Sequence, residues 1–155
     1  MAAAGGVLAA LFMSLFMTGK MDVTMAINGA IAGLVSITAD PLSPAGGTAV
    51  IVGAIGGAIV YFSIVFLEKA GVDDPVGAIS AHGTVGIYGV LVVALTGGAS
   101  FMGQLTGVAM IAAFTYLASL GTIYVINMVM PIRASDAEQE AGLDISEVGI
   151  EAYPE

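Results

Sequence analysis

One histidine, His82, stands in the middle of the longest uncharged stretch of the sequence. No Lys, Arg, Asp or Glu lies between Asp74 and Arg133. A neutral imidazole has one donor and one acceptor, and its pKa is close enough to neutrality for it to exchange protons. His82 is therefore the residue best suited to hold a small polar molecule or to relay a proton. The alternative is a buried histidine that only hydrogen-bonds to a neighbouring helix.

Small residues accompany His82 in the helix that we predict around it. At helical spacing Asp74, Ala78, His82 and Gly86 fall on one face. A polar side chain within a membrane is costly unless it faces other helices or a cavity. We therefore expect His82 to lie near the midpoint of its helix and to face other helices, not lipid. We expect Asp73 or Asp74 to cap this helix, with Pro75 at its first position. A further role for Asp74 in supporting a pore helix stays open.

The composition indicates a membrane protein. The 155 residues are 58% hydrophobic and only 10% charged, and the mean hydropathy is +1.01. Apolar runs reach the length of about 20 residues that a helix needs to cross a bilayer. The predicted fold is an all-α integral membrane protein, with a transmembrane region at 1–133 and an acidic tail at 134–155. The five predicted spans are about 1–18, 23–39, 46–67, 76–96 and 101–131.

The same composition argues against several classes of protein. There is no cysteine, so we expect no thiolate metal site and no disulfide framework. Three basic residues and a net charge of −9 leave no footprint for nucleic acid. A haem between histidines would need a second histidine, and an enzyme would need a nucleophile–base pair or a metal cluster within the spans. We therefore expect no cofactor, no metal and no catalysis.

Basic residues predict the orientation in the membrane. Lys20, Lys69 and Arg133 follow the first, third and fifth spans, while the loops after the second and fourth spans carry no basic residue. With five spans, all three positive charges fall on one side. The positive-inside rule then places the C-terminus in the cytoplasm. We expect the protein to lie in the inner (plasma) membrane.

Glycine pairs predict close helix packing. Gly29 and Gly33, Gly53 and Gly57, and Gly103 and Gly107 are each separated by three residues. Such pairs allow helix backbones to approach closely in membranes. Tight packing of this kind is typical of a transporter or channel.

Three segments resemble a known family. The stretch GVDDPVGAISAHGTVGIYG resembles the penultimate transmembrane helix of the ammonium transporters, the Amt/Mep/Rh superfamily. NGAIAGLVSITA, which begins at Asn28, resembles their eighth helix, and GLDISEVGIEAYPE, which begins at Gly142, resembles their cytoplasmic tail. The variant DDPVGAIS is most similar to the cyanobacterial and marine bacterial branch. The resemblance covers nearly the whole chain, but only about the last two-fifths of a typical member.

The resemblance implies a fold and an activity. Members are homotrimers of eleven-helix protomers, each with a hydrophobic pore between two inverted repeats. The five spans would be helices seven to eleven, and His82 would be the second of a pair of pore imidazoles that conducts ammonia or ammonium. Asn28 and Ile31 would line the pore, and Asp74, Ala78 and Gly86 would support the pore helix. Which species crosses stays open.

Departures from the family pattern and the tail add further expectations. Helices one to six, with the partner histidine, are missing from this sequence, so we expect no transport by the chain alone. Gly77 stands where many members have aspartate, and Val148 where many have histidine. The tail, through Gly142, Leu143 and Asp144, would contact neighbouring protomers and a PII-type regulatory protein; the alternative is a solvated, partly disordered end. The rival function is a non-transporting membrane scaffold or a pseudogene fragment.

Overall fold

The computed structural model describes residues 1–151, so Tyr153 and Glu155, which belong to the predicted tail, lie outside the described residues. Two compact units make up the chain, Met1–Met110 and Ile111–Glu155. The described residues are helical and contain no strand, which confirms the all-α prediction. The helical elements are α1 (Ala2–Thr18), α2 (Val23–Ile37), α3 (Gly46–Lys69), the π-helical segment π1 (Ile79–Thr84), α4 (Val85–Thr96), α5 (Phe101–Val129), α6 (Asp136–Ala141) and a second π-helical segment, π2 (Asp144–Val148).

In the first unit, α1 packs against both α2 and α3 through glycine. A Cβ added to Gly33 would overlap the carbonyl oxygen of Ala2, and one added to Gly57 would overlap that of Gly6. Only a residue without a side chain allows backbones to approach this closely. Close helix packing, as predicted, therefore occurs at the pairs Gly29 and Gly33, and Gly53 and Gly57.

The third predicted pair behaves differently. A Cβ added to Gly107 would meet nothing within 4 Å, and one added to Gly103 would meet only the nearby Ser100 side chain. Close packing at this pair is therefore not observed within the described residues. Pairs of this spacing arise easily by chance where glycine is abundant, and this chain has 22 glycines.

A small apolar core joins α2, α3 and the helix that carries His82. Ala32, Val60, Ala81 and Val85 are buried against one another, and Ile31, Val35, Ile59, Ile64 and Tyr88 pack around them. This core fixes π1 and α4 on the surface formed by α2 and α3. Because Ala81 and Val85 are buried in this core, the helix cannot rotate, and their sequence neighbours keep one orientation.

Among the described residues, three helices have the length and apolar composition needed to cross a membrane: α3, the continuous helix Ile79–Thr96, and α5. The apolar helices α1 and α2 have 17 and 15 residues, or about 26 and 22 Å at 1.5 Å per residue. A hydrocarbon core is about 30 Å thick. Five membrane crossings therefore remain a prediction.

The second unit contains the end of α5, from Ile111 onward, and the tail. No residue of α5 is buried within the described chain. In the tail, α6 begins with a capping box, in which the Ser135 hydroxyl accepts from the Glu138 backbone and the Glu138 carboxylate accepts from Ser135. These hydrogen bonds lower the pKa of the Glu138 carboxyl. The tail thus contains local helical structure.

Candidate functional site

Asp74 caps the helix that carries His82. Its Oδ1 accepts from the Ile79 N–H at 3.1 Å and its Oδ2 from the Ser80 N–H at 3.2 Å. The first amide groups of a helix have no partner within it, and a carboxylate there also interacts favourably with the helix dipole. This geometry agrees with the expectation that Asp73 or Asp74 caps the helix, and it identifies Asp74 as the cap.

The start of this helix differs from the sequence-based expectation. Pro75 and Val76 lie in a turn that the Gly77 N–H closes on the Asp74 carbonyl at 3.0 Å. Gly77 has a φ of +71°, which glycine adopts without strain. The π-helical segment begins only at Ile79, so Pro75 is not the first helical residue. The reversal at Gly77 is the physical reason, because it separates the proline turn from the helix.

His82 lies in π1, the wider helical segment. At its C-terminal end the Val85 N–H contacts the carbonyls of both His82 and Ser80. Short π-helical segments within α-helices are rare and frequently occur at functional sites. The Ser80 hydroxyl is buried and has no hydrogen-bond partner among the described residues. Neither feature has a signature in residue type that sequence reasoning could use.

The His82 side chain is exposed, as are its neighbours Gly83 and Thr84, while Ala81 and Val85 face the core. His82 is thus uncovered among the described residues, and the expectation that it faces other helices stays a prediction. The reason is that the apolar core holds Ala81 inward, which turns the next residue outward. The imidazole is available to whatever covers this face.

The residues expected beside His82 share its surface only in part. Ala78 is exposed near it, and Gly86 is half-buried, where an added Cβ would be 3.9 Å from Val35. Asp74 lies before the helix begins and so is not on its face. The small residues Ala78 and Gly86 nevertheless leave space beside the imidazole on its own helix.

Asn28 and Ile31 lie on α2, and Asn28 lines a cavity together with Asp74, the cap of the His82 helix. Asn28 is 9% exposed, and its Nδ2 donates to the Thr24 carbonyl at 3.1 Å. Ile31 is half-buried against the apolar core. The geometry brings Asn28 close to the turn before the His82 helix: a Cβ added to Gly77 would be 2.9 Å from Asn28 Oδ1.

A cavity of about 280 Å³ joins Asn28 to the cap. It is lined by Thr24, Met25, Ile27, Asn28, Ile64, Asp74, Pro75, Val76 and Gly77. An adjoining cavity of about 440 Å³ shares Ile64, Asp74 and Pro75 and is lined further by Glu68, Gly71, Val72 and Asp73. Asp74 thus borders both cavities. This position could not be predicted from the sequence, because it depends on tertiary packing.

A second carboxylate, Asp22, binds Thr24, which lines the first cavity. Asp22 caps α2 and accepts from the Thr24 hydroxyl at 2.6 Å and from the Thr24 N–H at 2.7 Å. These bonds lower the pKa of Asp22 below its usual 3.8. Both the hydroxyl and the backbone N–H of Thr24 therefore donate to Asp22.

The tail residues predicted as contacts lie in the second unit. Gly142 has a φ of +95° and ends α6, and Leu143 is exposed just before π2. Asp144 begins π2, and its Oδ1 would lie 2.6 Å from a Cβ added to Gly142. The exposed side chains of Leu143, Ile145, Val148 and Ile150 leave an apolar surface on the acidic tail.

Comparison with known proteins decides the family. The model of the Ammonium Transporter Family matches residues 1–153. The chain belongs to this family. It is 33% identical to an ammonium transporter of Archaeoglobus fulgidus and 35% identical to one of Methanocaldococcus jannaschii, with 99% and 100% of the chain aligned. An ammonium transporter of Bacillus subtilis is 30% identical over 98% of the chain.

The chain spans 37–38% of the length of the two archaeal ammonium transporters. Most of each relative therefore lies outside the part that this chain matches. Family membership agrees with the apolar helices of the structure and identifies the chain as a membrane protein. It does not by itself assign a role to any single residue of the chain.

Proposed function

We propose that this chain forms one wall of an ammonium pore and that His82 is the polar contact of that wall. The relatives are named ammonium transporters. The observation that carries the proposal is the exposure of His82 on a helix whose opposite face is fixed in an apolar core. A lone imidazole on an uncovered face within a membrane is costly unless further helices or a cavity cover it.

The missing wall comes from further helices of a longer transporter. In this proposal the chain corresponds to the last five helices and the tail of the family, as the segment around His82 resembles the penultimate helix. The chain alone does not conduct. The supporting observation is that the chain matches only 37–38% of the two archaeal relatives.

The chemistry follows from the properties of the two nitrogens of His82. Ammonium is strongly hydrated, so a dry pore makes its passage as an ion expensive. An imidazole can accept a hydrogen bond from the substrate through one nitrogen and donate through the other. Together with a second imidazole it holds ammonia and passes the proton separately. Asp74 fixes the start of the helix that presents His82, while Ala78 and Gly86 leave room beside the ring.

Orientation and assembly are part of the same proposal. The transporter is a homotrimer in the inner membrane with its C-terminus in the cytoplasm, where Gly142, Leu143 and Asp144 contact neighbouring protomers or a PII-type regulatory protein. Exposed apolar side chains of the tail support these contacts, because Ile145 and Val148 are exposed close to Leu143 and Asp144 in the sequence. Lys20, Lys69 and Arg133 define the cytoplasmic side.

The proposal is tested by His82→Ala in a full-length transporter that contains this chain. Ammonium-dependent growth of a cell that lacks other ammonium uptake should be lost, because the dry pore has no other imidazole on this wall. The matched control is Ile87→Ala, which alters an exposed side chain of the same helix and should keep growth. Normal growth of the His82→Ala strain would contradict the proposal, provided that both variants reach the membrane equally.

A further inference from the structure

Ser80 differs from the other buried serines of the described chain in its hydrogen bonding. Ser14 and Ser36, each 1% exposed, donate to main-chain carbonyl oxygens, at 2.8 Å from Ser14 to Lys20 and at 2.6 Å from Ser36 to Ala32. Ser80 is fully buried, yet its hydroxyl has no hydrogen-bond partner among the described residues. Because a buried hydroxyl has given up its hydrogen bonds to water, the lack of a partner raises the free energy of this conformation.

The carbonyl that would serve the Ser80 hydroxyl lies beyond Gly77. In helices a serine or threonine hydroxyl often donates to the carbonyl four residues earlier. Ser36 uses that carbonyl, and so do Thr18, Thr96 and Thr106. For Ser80 the corresponding carbonyl belongs to Val76, which lies in the turn before π1. The φ of +71° at Gly77 turns the chain between these two residues, so this helical bond does not form.

A second conformation of the same residues would give Ser80 its partner. A regular helix that begins at Pro75 has Asp74 at its N-cap and proline at its first position, and both residues are favoured there. In such a helix the Val76 carbonyl lies next to Ser80. Glycine adopts the helical φ that this conformation needs about as readily as the positive φ that is observed at Gly77. The sequence is therefore compatible with two starts of the His82 helix.

From these contacts we infer that Ser80 is a positioning residue for His82, because it keeps the observed start of the helix close in free energy to this second conformation. In the observed conformation the Asp74 carboxylate holds the Ile79 and Ser80 N–H groups, and π1 follows. In the second conformation these two N–H groups bond to the carbonyls four residues earlier, and Asp74 caps the new first turn. Without its hold on Ile79, π1 relaxes to α-helical hydrogen bonds, which are far more common.

His82 turns when π1 relaxes, because the rest of its helix is fixed. Val85 is fully buried, and the Tyr88 hydroxyl donates to the Val52 carbonyl at 3.3 Å. A π turn contains about one residue more than an α turn, and one residue corresponds to about 100° of rotation. Relaxation therefore turns the exposed His82 toward the place of Ala81, which faces the core. The observed conformation presents the imidazole to the proposed pore, and the second one withdraws it.

The glycines of this helix divide it into a loosely packed part and a tightly packed part. A Cβ added to Gly83 would be 3.8 Å from Ile79 Cγ2, and one added to Gly86 would be 3.9 Å from Val35 Cγ1. One added to Gly89 would be only 2.8 Å from the Val35 carbonyl oxygen. The packing therefore leaves room for movement around π1 and holds the helix from Gly89 onward.

The test uses His82 as the reporter, because it is the only histidine of the chain. The purified 155-residue chain is labelled with nitrogen-15 histidine in detergent micelles, so that each conformation gives one backbone amide signal in the NMR spectrum. Ser80→Ala removes a hydroxyl that is unpartnered in the observed conformation and bonded in the second one. The ratio of the observed to the second conformation should therefore rise about 5-fold, which corresponds to one ordinary hydrogen bond.

Gly77→Ala should shift the same equilibrium in the opposite direction. In the observed conformation an alanine Cβ would be 2.9 Å from Asn28 Oδ1 at a positive φ, whereas alanine is preferred over glycine in a helix. The ratio should therefore fall about 10-fold or more. The matched controls are Ser14→Ala, which alters a buried serine that has a partner, and Gly19→Ala, at a φ of +77° with nothing within 4 Å of the Cβ. Both should leave the ratio unchanged.

The His82 signals of the unaltered chain should lie between those of Ser80→Ala and Gly77→Ala, or appear as two resolved sets whose ratio the variants change in opposite directions. Signals that neither variant moves, or that both move in the same direction, would overturn the inference. Loss of helix content in Gly77→Ala by circular dichroism would also overturn it, because the second conformation should accommodate alanine.

The inference rests on the proposed function only for the importance of His82 to transport, and the two fail separately. The His82 signals are recorded without flux, whereas the proposed function is measured as growth. Unmoved signals together with loss of growth in His82→Ala would remove the second conformation and keep the pore. Signals that respond as expected, together with normal growth of His82→Ala, would do the reverse.

Discussion

Replacing Gly57 with alanine should separate α1 from α3. A Cβ at Gly57 would overlap the Gly6 carbonyl oxygen and would lie 2.8 Å from Gly6 Cα and 2.9 Å from its carbonyl carbon. An ordinary contact begins at 3.4 Å, so the backbones must move apart by at least 3.4 − 2.8 = 0.6 Å. Overpacking of this kind costs about 1–3 kcal/mol, and alanine recovers about 1 kcal/mol of helix propensity. We therefore expect a net loss of up to about 2 kcal/mol.

The matched control for this substitution is Gly47→Ala. Gly47 lies in the same helix, but a Cβ there would meet nothing within 4 Å. This variant should be as stable as the unaltered chain or slightly more stable. The free energy of unfolding is measured for each chain by titration with sodium dodecyl sulfate, with helix content followed by circular dichroism. Equal stability of Gly57→Ala and Gly47→Ala would refute the backbone contact between α1 and α3.

Two further predictions concern the cap of α2 and the topology. Hydrogen bonds from Thr24 lower the pKa of Asp22, so its contribution to stability is present above the usual value of 3.8 and is lost as pH falls through the lowered value. Asp22→Ala should therefore cost about 1 kcal/mol at pH 7, and thermal unfolding should show this difference narrowing below pH 3.8; a constant difference would be evidence against the cap. For the topology, a reporter inserted at Ser43 should be periplasmic and one fused after Glu155 cytoplasmic, and the opposite pattern would reverse the assignment of the basic residues.

The extents of the long helices could be predicted because their ends coincide with abrupt changes in residue type. The apolar run of α1 ends before Lys20, and Asp22 begins the next helix as its cap. Asp40 and Pro41 likewise follow the end of α2. In each case a charged residue or a helix breaker replaces an apolar one, and such a change is visible without knowledge of tertiary contacts.

The start of the His82 helix could not be predicted in the same way. It depends on the positive φ of Gly77 and on the reach of the Asp74 carboxylate to Ile79 and Ser80. The π-helical hydrogen bonds that follow have no signature in residue type. The sequence therefore predicts a regular helix from Val76, and it offers Asp73 and Asp74 equally as the cap, of which the structure shows Asp74.

In the candidate site as well, features set by residue type could be predicted, and features set by tertiary contacts could not. His82 could be singled out because one imidazole in a long uncharged run is conspicuous. The cavity at Asn28 could not, because it forms where Asn28 of α2 meets Asp74 and Gly77 in the turn before the His82 helix. Only the packing of α2 against the cap brings these groups together. The exposure of His82 likewise follows from burial of Ala81, which is a tertiary contact.

The most direct test of the pore is ammonium flux through purified protein. A full-length transporter that contains this chain would be reconstituted in liposomes, and the rise in internal pH on addition of ammonium would be followed with a trapped dye. The account predicts that His82→Ala abolishes the flux that depends on protein, while His82→Glu, whose carboxylate still exchanges protons, retains part of it. Flux in His82→Ala equal to that of the unaltered transporter would contradict the claim that His82 is the polar contact of the pore.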